Sequence, residues 1–248
     1  MLPSYRIGSL LGFPIRLNLS FLLLLGAVFL WMGRVPGVLA VLFLFGSVVL
    51  HELGHSVMAR RLGVRIASID LHFFGGAARM VDMPRSARDE IAIAAAGPAV
   101  SFALGALGLV LGAVTGAGLL TQLGWVNVVL GAFNLLPVFP SDGGRILRAL
   151  LAPRRGLVAA TDLAVKIGRF AAIGLGVYGV FHGPFTLAIL AFVLWSMGAA
   201  EQMAVRMRGA WDEWRRPGTR RVAEQVEYLP PGHDRPERRP PRVVVWRF

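Results

Sequence analysis

The stretch VVLHELGHSVMARRLG, residues 48 to 63, sets His51, Glu52 and His55 in an H-E-x-x-H pattern at the end of a long apolar run. On a helix, residues four apart share a face, so the two imidazoles can each bring one nitrogen to a single metal ion. Zinc accepts such nitrogens at about 2.0–2.1 Å, and the glutamate beside them is then placed to act as general base on a water. A five-residue pattern arises by chance in many proteins, and a polar cluster packed between helices is the alternative reading. Membrane context weighs against it: an ionisable residue inside a span costs about 2.5–3.5 kcal/mol on insertion scales, so such a cluster needs a strong compensating partner.

A catalytic zinc takes three protein ligands and keeps one position open. The residues after His55 supply no third, since the metzincin pattern needs Gly where Met58 stands and His where Arg61 stands. The chain has no cysteine, so the remaining ligand must be nitrogen or oxygen. Asp142, in NLLPVFPSDGGRILRAL, is the best candidate: Pro137, Pro140 and Gly143-Gly144 break a helix there, at the same membrane depth as the histidines in the topology below. Asn134 in the same stretch can either hydrogen-bond a substrate backbone or cap the broken helix. His72 and His182 lack ligand spacing to this group and read as interfacial polar residues.

The elements that must position these residues are membrane helices. Of 248 residues, 55% are apolar and 16% charged, with mean hydropathy +0.62, which excludes an ordinary water-soluble globule. Apolar run length predicts about six transmembrane helices, at 17–33, 35–58, 90–114, 119–138, 159–181 and 185–205. The fold class expected is therefore an all-α polytopic membrane protein. Residues 64 to 82, with mixed β-branched, aromatic and polar residues and Gly75-Gly76 as turn chemistry, add a short β-hairpin at the cytoplasmic interface.

Arginines mark the sides. Arg6 and Arg16 precede the first run, six arginines from Arg60 to Arg88 follow the second, and Arg145, Arg148, Arg154 and Arg155 follow the fourth, whereas the opposite connections hold only Arg34. The positive-inside rule makes the Arg-rich side cytoplasmic and predicts a multi-pass cell-membrane protein with both termini inside. Membrane orientation thus accounts for the net charge of +12, and nucleic acid is not an expected partner. No cleavage site follows the first run, which is expected to remain as an anchor. The membrane domain is expected over residues 1–205, with its core at 35–150, and residues 206–248 form a basic, Pro-rich cytoplasmic tail.

HELGH together with N-x-x-P-x-x-P-x-D-G-G, here Asn134 through Gly144, resembles the site-2 protease family of intramembrane zinc metalloproteases, peptidase family M50. FGGAARM at 74–80, AAGPAVS at 95–101 and KIGRFAAIGLG at 166–176 extend the resemblance over most of residues 45 to 180. It implies one Zn2+ per chain held by His51, His55 and Asp142, Glu52 as the catalytic general base, and a transmembrane protein as substrate, while Asn134 stays open between substrate binding and a helix cap. Relatives that carry a PDZ domain or a tandem cystathionine-β-synthase-type domain differ from this chain, whose 59–89 loop and post-206 tail are too short for either, so a minimal form is expected. A transporter is the rival reading of intramembrane His and Glu, but transporters show repeated, paired broken helices, and neither motif occurs twice here.

Overall fold

The computed structural model describes residues 4–31, 35–72 and 75–214. Arg34, Phe74 of the FGGAARM stretch, and all of the tail beyond residue 214 lie outside the described residues. Two strands, β1 (Ser4–Leu10) and β2 (Phe13–Asn18), lead into helices α1 (Leu19–Trp31) and α2 (Val35–Arg61). Strands β3 (Ile66–His72) and β4 (Gly75–Met80) follow, then α3 (Ala87–Thr115), α4 (Gly118–Asn134), α5 (Asp142–Arg155), α6 (Leu157–Phe181) and α7 (Thr186–Trp214).

The chain is mostly helical, and among the described residues four helices are long and apolar enough to cross a membrane: Val41–Arg61, Ala87–Thr115, Leu157–Phe181 and Thr186–Met207. The expected six are not all matched. Helix α1 has 13 residues and α4 has 17, about 20 and 25 Å at 1.5 Å per residue, against a hydrocarbon core of about 30 Å. The fourth apolar run ends early because the chain leaves the helix after Asn134, where Leu135 to Ser141 turn back before α5 begins. Helix α5 itself falls in what reads in sequence as a loop; it carries Arg145, Arg148, Arg154 and Arg155.

The β-structure is also larger than the expected hairpin. The N-terminal arm supplies two of four strands in a sheet ordered β1-β2-β3-β4, with β2 and β3 parallel and the outer pairs antiparallel. Leu11 and Gly12 turn β1 into β2 with φ of 50° and 87°, the positive-φ pair that a two-residue hairpin loop requires. Arg60, at the end of α2, holds this turn: its Nη1 donates to the Leu11 carbonyl at 2.8 Å and its guanidinium lies 4.5 Å from the Phe13 ring centre. Because β2 and β3 are hydrogen-bonded, the excursion through α1 and α2 must begin and end on the same side.

One face of β3 packs Leu71 against Phe21 of α1 and Phe45 of α2, whose rings meet edge-on at 4.3 Å. A second cluster, Ala59, Val64 and Ile93, joins the end of α2 to α3. Ser86 caps α3 by accepting from the Asp89 amide at 3.1 Å. Further along, a Cβ at Gly108 would lie 2.8 Å from Gly124 Cα, so α3 and α4 approach backbone to backbone, as small residues permit between membrane helices.

Candidate metal centre

His51 and His55 lie one turn apart on α2 and are almost fully buried, at 3% and 4% exposure. Asp142, 6% exposed, is the first residue of α5, where the orphan amides of a helix start favour a carboxylate. His51 Nε2 lies 3.1 Å from Asp142 Oδ2, His55 Nε2 lies 3.2 Å from the same oxygen, and the two nitrogens are 3.1 Å apart. Three potential ligand atoms thus form a nearly equilateral triangle. Metal–ligand bonds of about 2.0–2.1 Å in a tetrahedron give edges of about 3.3 Å, so the triangle fits one zinc ion with a fourth position open.

The far side of each ring is set for the same use. A metal on Nε2 requires the proton on Nδ1, and each Nδ1 has an acceptor: the Ile93 carbonyl for His55 at 2.7 Å, and Ser101 Oγ for His51 at 2.9 Å. Both acceptors come from α3. That helix can reach the rings because residue 97 is glycine; a Cβ there would overlap the His55 imidazole and lie 2.7 Å from His51 Nε2. At Gly143 a Cβ would overlap the carbonyl oxygens of Leu135 and Leu136, so the Asp-Gly-Gly sequence lets the turn fold tightly against the start of α5.

Glu52 points to the sheet. Its Oε2 accepts from the Ala78 amide of β4 at 3.0 Å, and the ligand-capable atoms of His51, Glu52 and His55 all lie within 4.8 Å of one another. Gly76, which reads in sequence as turn chemistry, lies in β4, and it gives Glu52 room: a Cβ there would stand 2.8 Å from Glu52 Cγ and 2.9 Å from Val48 Cγ1.

Asn134 ends α4, and its amide nitrogen donates to the Leu130 carbonyl at 2.9 Å, within its own helix. His72 lies on β3, and His182 stacks on Tyr178 at 6.0 Å beyond α6. One turn before His51 on α2, buried Ser47 accepts from Asn127 Nδ2 of α4 at 2.9 Å. Sequence reasoning missed Ile93, Ser101, Ala78 and this pair. The only signal for any of them is AAGPAVS, which contains Gly97 and Ser101 but does not say which residues face the histidines.

Helix α5, which begins at Asp142, is anchored further along by a charge cluster around buried Arg148. Arg148, two turns along α5, donates Nε to Glu90 Oε1 at 2.9 Å and Nη1 to Glu201 Oε1 at 2.5 Å, and its guanidinium lies 5.3 Å from the Phe139 ring centre. This joins α5 to α3 and α7, with both carboxylates sharing one cation.

Two buried histidines on a membrane-length helix and a buried carboxylate at the start of α5, converging on one point beside a glutamate, fit a candidate zincin-type metal centre in a membrane protein. The model of peptidase family M50 matches residues 39–120 and 117–175. This chain belongs to that family, the site-2 proteases. It is 38% identical over 211 residues to a zinc metalloprotease of Methanocaldococcus jannaschii, covering 82% of this chain and 61% of that protein. Similarity to stage IV sporulation protein FB of Bacillus subtilis is 30% identity over 179 residues, covering 70% of this chain and 60% of that one. The solved site-2 protease from Methanocaldococcus jannaschii superposes with a TM-score of 0.65 at 35% identity, covering 81% of this chain and 95% of that chain. The chain spans about three fifths of the length of these two curated relatives.

Proposed function

We propose that this protein is an intramembrane zinc metalloprotease that hydrolyses peptide bonds within transmembrane segments of membrane-protein substrates. The observation that carries the reading is the triangle of His51 Nε2, His55 Nε2 and Asp142 Oδ2 at 3.1–3.2 Å, with Glu52 beside it. Family membership and the zinc metalloproteases among its relatives support it. The three ligands hold one zinc per chain, which when bound acts as a Lewis acid toward the scissile carbonyl and the attacking water. Glu52 takes the proton from that water and returns it to the leaving nitrogen, so no covalent intermediate is needed. Asn134 serves the substrate backbone.

A helical substrate cannot be cut while its carbonyls are tied into i to i−4 bonds, so it must be held extended. Strand β4 lies at one edge of the sheet, next to Glu52, and main-chain pairing along it would supply that hold with little sequence selectivity. The reading includes six spans, with α1 and α4 as short ones, both termini in the cytoplasm and the site near the cytoplasmic side, where Arg60 and Arg61 close α2. Water then reaches the metal from that side.

The test is co-expression with candidate single-span membrane proteins, comparing the native enzyme with Glu52→Gln. A substrate that accumulates uncut only with the variant supports the reading, and equal processing by both removes it. Metal analysis of the detergent-purified protein is expected to give about one zinc per chain, falling in His51→Ala and in Asp142→Ala. Full zinc retention in Asp142→Ala would remove that residue from the ligand set.

A further inference from the structure

The sheet edge and the general base meet at one hydrogen bond that hydrolysis as described above does not use. Ala78 pairs opposite Ile69 across β3 and β4, and its main-chain N–H donates to Glu52 Oε2 at 3.0 Å. An amide directed at Glu52 points away from β3, along the open edge of the sheet. The same strand presses on the stem of the side chain, since only the missing Cβ of Gly76 leaves room for Glu52 Cγ. Strand β4 therefore holds Glu52 at its stem and at one carboxylate oxygen, leaving Oε1, which accepts no hydrogen bond among the described residues, to handle a proton.

We propose that the main-chain N–H of Ala78 is a positioning group that fixes Glu52 in alignment with the metal centre, which makes the edge strand β4 part of the catalytic apparatus. The inference rests on the assignment of Glu52 as general base made above. Glutamate is among the side chains with most rotamer freedom to lose on ordering. A charge-assisted bond to a carboxylate is short and strong enough to select one arrangement. Proton transfer is sensitive to that choice, because a misplacement of about 1 Å can lower a rate about 100-fold.

Two measurements test the proposal. In the metal-free protein, hydrogen exchange resolved within residues 75–80 should show the Ala78 amide protected, and Glu52→Ala should speed its exchange at least about tenfold while other β4 amides keep their rates. Equal exchange of Ala78 in both proteins overturns the proposal. In the zinc-loaded enzyme, replacing Ala78 by lactic acid removes the N–H but keeps the methyl group. Turnover should fall about 10- to 100-fold with KM within about twofold and zinc content unchanged, and the ester variant should lose more turnover than Ala78→Gly, which keeps the N–H. An ester variant with native kcat overturns the proposal, as does one in which KM rises and kcat stays. Failure of the underlying protease reading looks different: the native enzyme and Glu52→Gln would then process substrate equally.

Discussion

Gly97 is the residue on which the candidate metal centre depends without offering a ligand. Its missing Cβ is what allows α3 to deliver the Ile93 carbonyl and Ser101 Oγ to the two histidines. In Gly97→Ala the added methyl must displace an imidazole or the helix. Overpacking of this kind costs about 1–3 kcal/mol, and where it falls on the ligands zinc affinity should drop roughly 10- to 100-fold, as read by competition with a chelator. Ser101→Ala leaves the packing intact and removes only the acceptor for His51 Nδ1, so a smaller loss, about tenfold, is expected in the same assay. That His51, His55 and Asp142 converge was legible in the sequence because each sits in a local pattern whose chemistry is explicit. Their supports were not, because Ile93 acts through a carbonyl that every residue has, and Gly97 through an absent atom.

At the scale of elements, α5 is locked by Arg148, buried between Glu90 of α3 and Glu201 of α7. Arg148→Met leaves two half-buried carboxylates without their shared cation. Breaking such a pairing costs about 3–5 kcal/mol, so the thermal midpoint in detergent should fall by roughly ten degrees. Arg148→Lys keeps the charge without the fork that serves two carboxylates at once, and should be intermediate. The base of the β3–β4 hairpin carries an exposed pair, in which Arg65 Nε donates to Asp82 Oδ2 at 2.7 Å. That hydrogen bond lowers the Asp82 carboxyl to about 2. Since the folded value lies below the usual carboxylate value of about 3.9, the pair's contribution is fully present above that pH and is lost as pH falls through 2. A carboxyl NMR titration should place the Asp82 midpoint near 2 in the native protein and near the usual value in Arg65→Gln. The hairpin itself was readable from Ile66 to Met80, yet the pairing of β2 with β3 was not, because those strands lie some fifty residues apart and no local pattern records a distant partner. Helix α5 was hidden for another reason: Gly143-Gly144 read as a breaker, although the glycines serve close approach at its first turn.

For the molecule as a whole, arginine placement predicts that reporter fusions after residue 61 and at the C-terminus report a cytoplasmic location and that a fusion after residue 117 reports an external one. An external C-terminus would overturn the six-span arrangement. The number of spans was only partly legible, since apolar run length cannot distinguish a full crossing from a run such as 119–138, whose last residues turn back instead of continuing the helix. The parallel pairing of Ile15, Arg16 and Leu17 with Ile69, Asp70 and Leu71 also bears on how the protein is made. During synthesis β2 emerges first and has no partner in the sheet except β1 until α1 and α2 have been made and β3 has returned beside it. A chain that inserted α2 the wrong way round would strand β3 across the bilayer from β2, and the Leu11 carbonyl would lose Arg60. Closure of the sheet, with Ala78 arriving beside Glu52 as part of it, therefore requires β2 and β3 on one face, so the glutamate meets its strand only in a chain whose helix pair has returned to that face.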